Sequence, residues 1–270
     1  MRTERIGFIG AGQMAEAIAR GVLAAGLFPP AALAASDVAE PRRRLFQELG
    51  IRATERNLGI IPECDVLLVA VKPQNLDELL REIGPSLRKE QLLITICAGC
   101  ATALFESAAI EPVRVVRAMP NLPVRVRMGA TALCVGRYAT QSDLELAHEI
   151  FGAVGNVVVV AERLMDAVTA LSGSGPAYFD FLIEAMIAAG RREGLPEPVA
   201  RALAVQTARG AVEMIIAEDL PPGELRRRVT SKAGTTEAAV RRLEELNARE
   251  AILQAIHAAA ERAKELGRRM

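Results

Sequence analysis

The sequence predicts an α/β protein in two parts: an N-terminal doubly wound sheet, residues 1–162, followed by an all-helical domain, residues 163–270. Three observations predict it. A short apolar run, Ile6-Gly-Phe8-Ile9, leads straight into Gly10-x-Gly12-x-x-Ala15, after which Met14, Ile18, Val22 and Leu23 recur at helical spacing. Alternating strand and helix signals then continue to about residue 160, the pattern of a parallel sheet covered on both faces. Beyond Glu162 no strand pattern returns, and apolar residues recur at helical spacing alone.

Each element follows from local pattern. Residues 6–9 form a strand buried on both faces, which is why the run does not alternate. Residues 32–36 give the second strand, and Val66-Leu-Leu-Val-Ala-Val71 a strongly buried one. Runs at 92–96, 113–117, 131–135 and 157–160 follow, with helices near 41–49, 75–83 and 142–153. In the second part, residues 177–190 are apolar but interrupted by Asp180 and Glu184, and Gly194 after Arg191 and Arg192 suits a helix C-terminus. A helix over 197–217 carries Val199, Leu203, Val212, Ile215 and Ile216 on its apolar positions, with Pro198 in the first turn. Pro221-Pro222-Gly223 opens a short helix, and 236–266 is a long one with a weak point near Asn247. Helices this rich in Ala, Val and Ile predict burial against a second copy, hence a homodimer or a higher homo-oligomer such as a decamer.

The glycine turn implies a ligand. Gly10 permits a tight turn after the strand, Gly12 lets the backbone approach a pyrophosphate, and Ala15 allows close helix–strand packing. The helix that follows offers free N–H groups and the positive end of its dipole to an anion. In this context the motif is the dinucleotide fingerprint of a Rossmann domain, with Gly10, Ala11 and Gly12 against the cofactor. The residue that ends the second strand discriminates between nicotinamide cofactors: an acid favours NAD, a small polar residue with a nearby Arg favours NADP. The chain offers Ser36-Asp37 followed by Arg42, Arg43 and Arg44, with Asn57 a further polar candidate, and NADP(H) is favoured over NAD(H).

Composition narrows the class. Formal net charge is zero and there is no long basic block, so nucleic-acid binding has no electrostatic footprint. No apolar stretch reaches the length of a membrane span, and the first strand begins within six residues of Met1, so a cytoplasmic protein is expected. Cys97-Ala-Gly-Cys100 has no second half for zinc; with Cys64 and Cys134 it is expected to supply small buried thiols, and no metal site is expected. His148 and His257 lie far apart on charged helical segments and are expected at the surface.

A second motif lies near the C-terminus: Arg228-Val-Thr-Ser231-Lys-Ala-Gly234-Thr-Thr236-Glu237. Read alone, Ser231, Thr235 and Thr236 are ordinary helix N-caps. Together with Phe8-Ile-Gly-Ala-Gly-Gln-Met-Ala15, Val69-Ala-Val-Lys72-Pro73-Gln74, Met119-Pro-Asn121-Leu-Pro123, Gly129-Ala-Thr-Ala132 and Leu171-Ser-Gly-Ser-Gly-Pro-Ala-Tyr178, it makes the chain resemble the Δ1-pyrroline-5-carboxylate reductase family over nearly its whole length. The resemblance implies NAD(P)H-dependent reduction of a cyclic imine to L-proline, a helical domain that interleaves with a partner, and an active site between the two domains. It implies that Gln13, Met14, Ser36, Asn57, Val71, Lys72 and Ala98 line the cofactor, with Asn121 near the nicotinamide. Glu162, Ser231, Gly234, Thr235 and Thr236 would surround the substrate, Thr236 being the nearest to a catalytic residue. Where the family often has Ser-Pro-Gly-Gly, this chain has Ser231-Lys-Ala233-Gly234, a departure expected to alter loop geometry.

Two alternatives stand beside this reading. A β-hydroxyacid-dehydrogenase-like oxidoreductase shares the layout but needs a Lys on the first long helix, and none occurs between Gly175 and Gly194. A catalytically inactive, nucleotide-binding regulatory relative would have a degenerate substrate motif, whereas Ser231, Gly234 and Thr236 are all present.

Overall fold

The computed structural model describes residues 2–268. They form two compact units: one runs up to Ser174 and includes the chain from Ala259 on, the other is Gly175–Ala258. The first unit thus takes in the segment from 163 to 174 and the end of the last helix.

Within the first unit the order is β1 (Ile6–Ile9), α1 (Gln13–Ala24), β2 (Leu33–Ser36), α2 (Glu40–Glu48), β3 (Arg52–Thr54), β4 (Val66–Val69), α3 (Leu76–Ile83), β5 (Leu92–Thr95), α4 (Thr102–Ala108), β6 (Arg114–Met119), β7 (Gly129–Val135), α5 (Gln141–Gly152), β8 (Gly155–Val159) and the short α6 (Met165–Val168). The eight strands form one sheet in the order β3-β2-β1-β4-β5-β6-β7-β8. The first six are parallel, β7 runs antiparallel to β6, and β8 is parallel to β7. Chain order reverses between β1 and β4, so the crevice beyond their C-terminal ends is the switch point where ligands bind in open sheets.

The central strands are apolar throughout because each feeds two cores. Val66 and Leu68 of β4, Leu92 and Ile94 of β5, and Phe8 of β1 pack on one face with Ile18, Phe46 and Phe151 from α1, α2 and α5. Leu67 and Val69, Leu93, and Ile9 pack on the other with Leu79, Ile83 and Phe105 from α3 and α4. Burying each such side chain contributes about 1.5–3 kcal/mol, and the two layers hold the strand ends rigid beneath the cleft.

The expected strands are present with small shifts at their ends, the run at 66–71 closing at Val69 and that at 157–160 replaced by β8, which starts two residues earlier and ends at Val159. Three features were not expected. The edge strand β3 is half-exposed Arg-Ala-Thr. Helix α4 begins without a local side-chain cap; Glu162 supplies one from afar, accepting from the Thr102 N–H (2.7 Å) and hydroxyl (2.9 Å). A π-helical turn at Thr169–Gly173 was also unforeseen.

The second unit contains α7 (Gly175–Arg192), α8 (Glu197–Glu218), α9 (Pro222–Arg228), α10 (Thr235–Glu245) and the start of α11 (Ala248–Arg268). Helices α7 and α8 pack closely, with a Cβ at Gly190 reaching 3.1 Å from that of Ala200. Their outer faces leave Phe179, Phe181, Leu182, Leu203 and Ile216 exposed, Phe181 at 73%. The weak point near Asn247 is a break between α10 and α11, where Asn247 takes a left-handed conformation (φ 52°) that Asn tolerates better than most side chains.

Candidate functional site

The strand ends frame a cleft of about 550 Å³, lined by Gly10 and Gly12 after β1, Ser36, Asp37 and Val38 after β2, Asn57, and Ala70, Val71 and Lys72 after β4. Helix α3 and its N-cap close one side with Asn75, Glu78, Leu79 and Glu82. Six of the expected cofactor residues therefore meet in one crevice at the switch point: Gly10, Gly12, Ser36, Asn57, Val71 and Lys72.

The two glycines of the turn differ in what demands them. Gly10 has φ +90°, and a Cβ there would lie 3.0 Å from the Ala70 carbonyl oxygen. The protein itself requires this glycine. A Cβ at Gly12 would meet nothing within 4 Å. The fold does not explain that glycine, but a ligand lying against the backbone does. Gly12 is the N-cap of α1 and no side chain caps that helix, so the N–H groups of its first turn remain available to an anion.

Asp37 organises the turn. Its Oδ2 accepts from the Ala11 N–H and its Oδ1 from the Ala39 N–H, both at 2.8 Å. Ser36 is fully buried at the end of β2, its hydroxyl donating to Asn57 Oδ1 (2.8 Å), while Asn57 Nδ2 donates to Glu82 (2.8 Å). Arg43 donates to the carbonyls of Asp37 and Val38, and Arg42 Nε to that of Ala11 (2.6 Å). Neither the Asp37 bond to Ala11 nor that of Arg42 has a local sequence signal, since each partner lies more than twenty residues away.

Ala98 is half-buried in the loop after β5. That loop is tied to the cleft because the Cys97 thiol donates to the Val71 carbonyl (3.4 Å). All four cysteines are free and buried. Burial pushes the Cys64 thiol up to about 11 and that of Cys134 up to about 12, and the hydrogen bond to Cys97, with burial, drives Cys100 up as well. Asn121 is buried; its Oδ1 accepts from the Ala130 N–H (2.8 Å) and its Nδ2 donates to the Ser172 carbonyl (3.2 Å) inside the π-helical turn. Such turns recur at functional sites. Glu162 serves Thr102 and stands 3.6 Å from the buried guanidinium of Arg117. Gln13 and Ala11 do not line this cleft, and Met14 packs partly buried against the core.

The remaining expected residues lie in the second unit, at the start of α10. The N-cap of that helix is Gly234, and no side chain caps it. Among the described residues the hydroxyls of Ser231, Thr235 and Thr236 make no hydrogen bond, so they are not the N-caps that the motif alone suggests. Gly234 is needed for close approach, since a Cβ there would lie 2.4 Å from Ser231 Oγ. Ala233 takes a left-handed conformation, φ 59°, and its N–H is accepted by Glu237 Oε2 at 2.6 Å. The loop thus presents three uncommitted hydroxyls and an uncapped helix N-terminus.

A doubly wound sheet, a ligand-shaped glycine turn and a helical second unit define a dinucleotide-binding protein of the Rossmann class. The profile of the family described as pyrroline-5-carboxylate reductase dimerisation matches residues 162–266, and that described as NADP oxidoreductase, coenzyme F420-dependent, matches residues 5–99. The chain is 45% identical over its whole length to a pyrroline-5-carboxylate reductase of Methanosarcina acetivorans, all of which is covered. It is 40% identical to that of Pseudomonas aeruginosa, with 100% of this chain and 99% of the relative covered. Among solved structures it is similar to the pyrroline-5-carboxylate reductase of Coxiella burnetii (TM-score 0.91, 37% identity, 98% and 99% of the two chains). It is also similar to the Plasmodium falciparum pyrroline carboxylate reductase with NADP bound (TM-score 0.89, 30% identity, 99% of each chain). The chain belongs to the pyrroline-5-carboxylate reductase family.

Proposed function

We propose that this protein reduces 1-pyrroline-5-carboxylate to L-proline. The observation that carries the reading is the loop at 231–236, whose hydroxyls are uncommitted although they sit where a helix would ordinarily use them as caps. A small carboxylate fits that loop: free N–H groups at the start of α10 and the Ser231 hydroxyl supply the donors an anion needs. A reduced nicotinamide dinucleotide supplies the hydride when bound. The cleft fits such a group, because Gly12 leaves room for a pyrophosphate and α1 leaves its first N–H groups free.

In this reading Gly10, Ala11, Gly12, Gln13 and Met14 hold the pyrophosphate end, Ser36 and Asn57 the adenosine end, and Val71, Lys72, Ala98 and Asn121 the remainder of the cofactor. Ser231, Gly234 and Thr235 hold the substrate carboxylate, Glu162 borders the substrate, and Thr236 hydrogen-bonds the ring nitrogen. A protonated imine is already electrophilic, so the chain needs no strong acid; Thr236 contributes by orienting the ring, and positioning is the larger effect. NADPH is the preferred donor, because β2 ends on Ser36 while both Asp37 oxygens are held by backbone N–H groups. Residues 1–162 bind the dinucleotide. Residues 163–270 bind substrate and form a homodimer or a higher assembly through the exposed apolar faces of α7 and α8. The enzyme works in the cytoplasm.

Steady-state oxidation of NADPH and of NADH by the purified protein with 1-pyrroline-5-carboxylate tests both parts. Proline formation with a higher kcat/KM for NADPH is expected. Turnover with equal or better use of NADH would overturn the cofactor preference alone. No turnover by folded protein that still binds nucleotide would overturn the activity.

A further inference from the structure

A second groove, of about 420 Å³, lies beside α1; Gln13 at the start of that helix borders it, but none of the residues lining the strand-end cleft does. Its charged walls are Glu16 and Arg20 of α1, Arg42 of α2, and Arg125 and Arg127 of the 3-10 turn Leu122–Val126 and its C-cap. Four guanidinium groups thus face one carboxylate, in a chain whose formal net charge is zero.

Both oxygens of that carboxylate are engaged. Glu16 accepts from Arg20 Nε (2.9 Å) and from Arg42 Nη2 (2.8 Å), and Arg42 also donates to the Ala11 carbonyl. Arg125 and Arg127 make no side-chain hydrogen bond or ion pair among the described residues. Arg127 is held in a left-handed conformation, φ 58°, at the end of the turn, a costly arrangement for an L side chain. Like charges gathered in one groove repel each other, and a bound anion of high charge density removes that cost. Guanidinium forks match phosphate oxygens two at a time, which ammonium groups do not.

We propose that this groove binds a small polyanion carrying two or three linked phosphate groups, at a site separate from the dinucleotide cleft. Arg125 and Arg127 supply the free donors, and Arg20 and Arg42 the charge around them. Phosphate oxygens could equally be offered by the dinucleotide itself, and the test separates the two sources.

The test is calorimetric titration of inorganic pyrophosphate into the full chain, alone and saturated with NADP+, and into the R125Q/R127N double variant. Asn suits the left-handed position of residue 127, and both side chains are exposed, so the variant retains the fold. The expected result is one pyrophosphate site that persists under saturating NADP+ and weakens roughly tenfold or more in the variant, the scale of losing a charge-assisted contact. NADP+ affinity of the variant without pyrophosphate stays within about twofold. Pyrophosphate binding that disappears under saturating NADP+ would show that the anion had entered the dinucleotide cleft. Binding of equal strength in the variant, or none in either protein, would overturn the site. None of these outcomes depends on reductase activity.

Discussion

The two glycines of the turn allow the fold's requirement to be separated from the ligand's. Gly12→Ala adds a methyl group that meets no protein atom within 4 Å. Its cost to the free protein is that of a poorer N-cap for α1, about 0.5–1 kcal/mol. Gly10→Ala puts a side chain at φ +90° with its Cβ 3.0 Å from the Ala70 carbonyl. Backbone strain alone costs about 1–3 kcal/mol there, and the close approach to fixed backbone adds to it. Ligand linkage reverses the ranking. At one hundred times Kd a nucleotide stabilises the protein by about 2.7 kcal/mol, or about 5–10 °C in a chain of this size. Thermal unfolding with and without NADP+ reads both effects. Gly12→Ala is expected to melt close to the parent protein but to lose most of the nucleotide-dependent shift. Gly10→Ala is expected to melt early in the free state. A Gly12→Ala protein that keeps the full nucleotide shift, or a Gly10→Ala protein as stable as the parent, would refute the reasoning.

Three further outcomes follow from particular residues. Ala233→Gly relieves a left-handed alanine worth about 1–2 kcal/mol and gives back about 0.5–1 in chain entropy, so it stabilises modestly; Ala233→Val destabilises, and calorimetric melting of the pair checks the sign. Burial pushes the Glu16 carboxyl up, but hydrogen bonds from Arg20 and Arg42 outweigh it and hold the group below its ordinary 4.5. Its contribution to stability is therefore present above that value and is lost as pH falls through the lower folded value. Glu16→Gln should flatten the acid limb of a denaturation profile below about pH 4.5. Ile216→Asp places a charge on the exposed apolar face of α8; a symmetric interface doubles the loss, so sedimentation should show a smaller assembly, and an unchanged mass would move the interface elsewhere.

Much of the first unit was legible because its signals are local. Continuous apolar runs such as 66–69 are the mark of strands with a core on both faces, and the glycine turn follows β1 without a gap. The features that were not legible depend on distant partners. Helix α4 is short and capped by Glu162, sixty residues on; β3 is a three-residue edge strand with no apolar pattern. Asp37 is one of two candidate cofactor discriminators in the sequence, and nothing local signals that its carboxylate accepts from the N–H group of Ala11 as well as that of Ala39. Arg125 and Arg127 alternate with valines in a segment that gives no sign of a groove, because the other wall comes from α1 and α2. In the substrate motif the sequence flagged Ala233 as a departure, and the left-handed backbone there is its physical content. The uncommitted state of Ser231, Thr235 and Thr236 emerged only from the three-dimensional arrangement, since the same residues before a helix ordinarily cap it.

The central claim is that hydride passes from a nicotinamide to the imine carbon of a small cyclic carboxylate. The direct measurement is to supply NADPH deuterated at the transferred position, with unlabelled 1-pyrroline-5-carboxylate, and to analyse the product by mass spectrometry. The account predicts L-proline carrying one deuterium on the former imine carbon, formed in step with NADPH loss. Cofactor oxidised without labelled proline, or no oxidation by protein that binds both ligands, would contradict it.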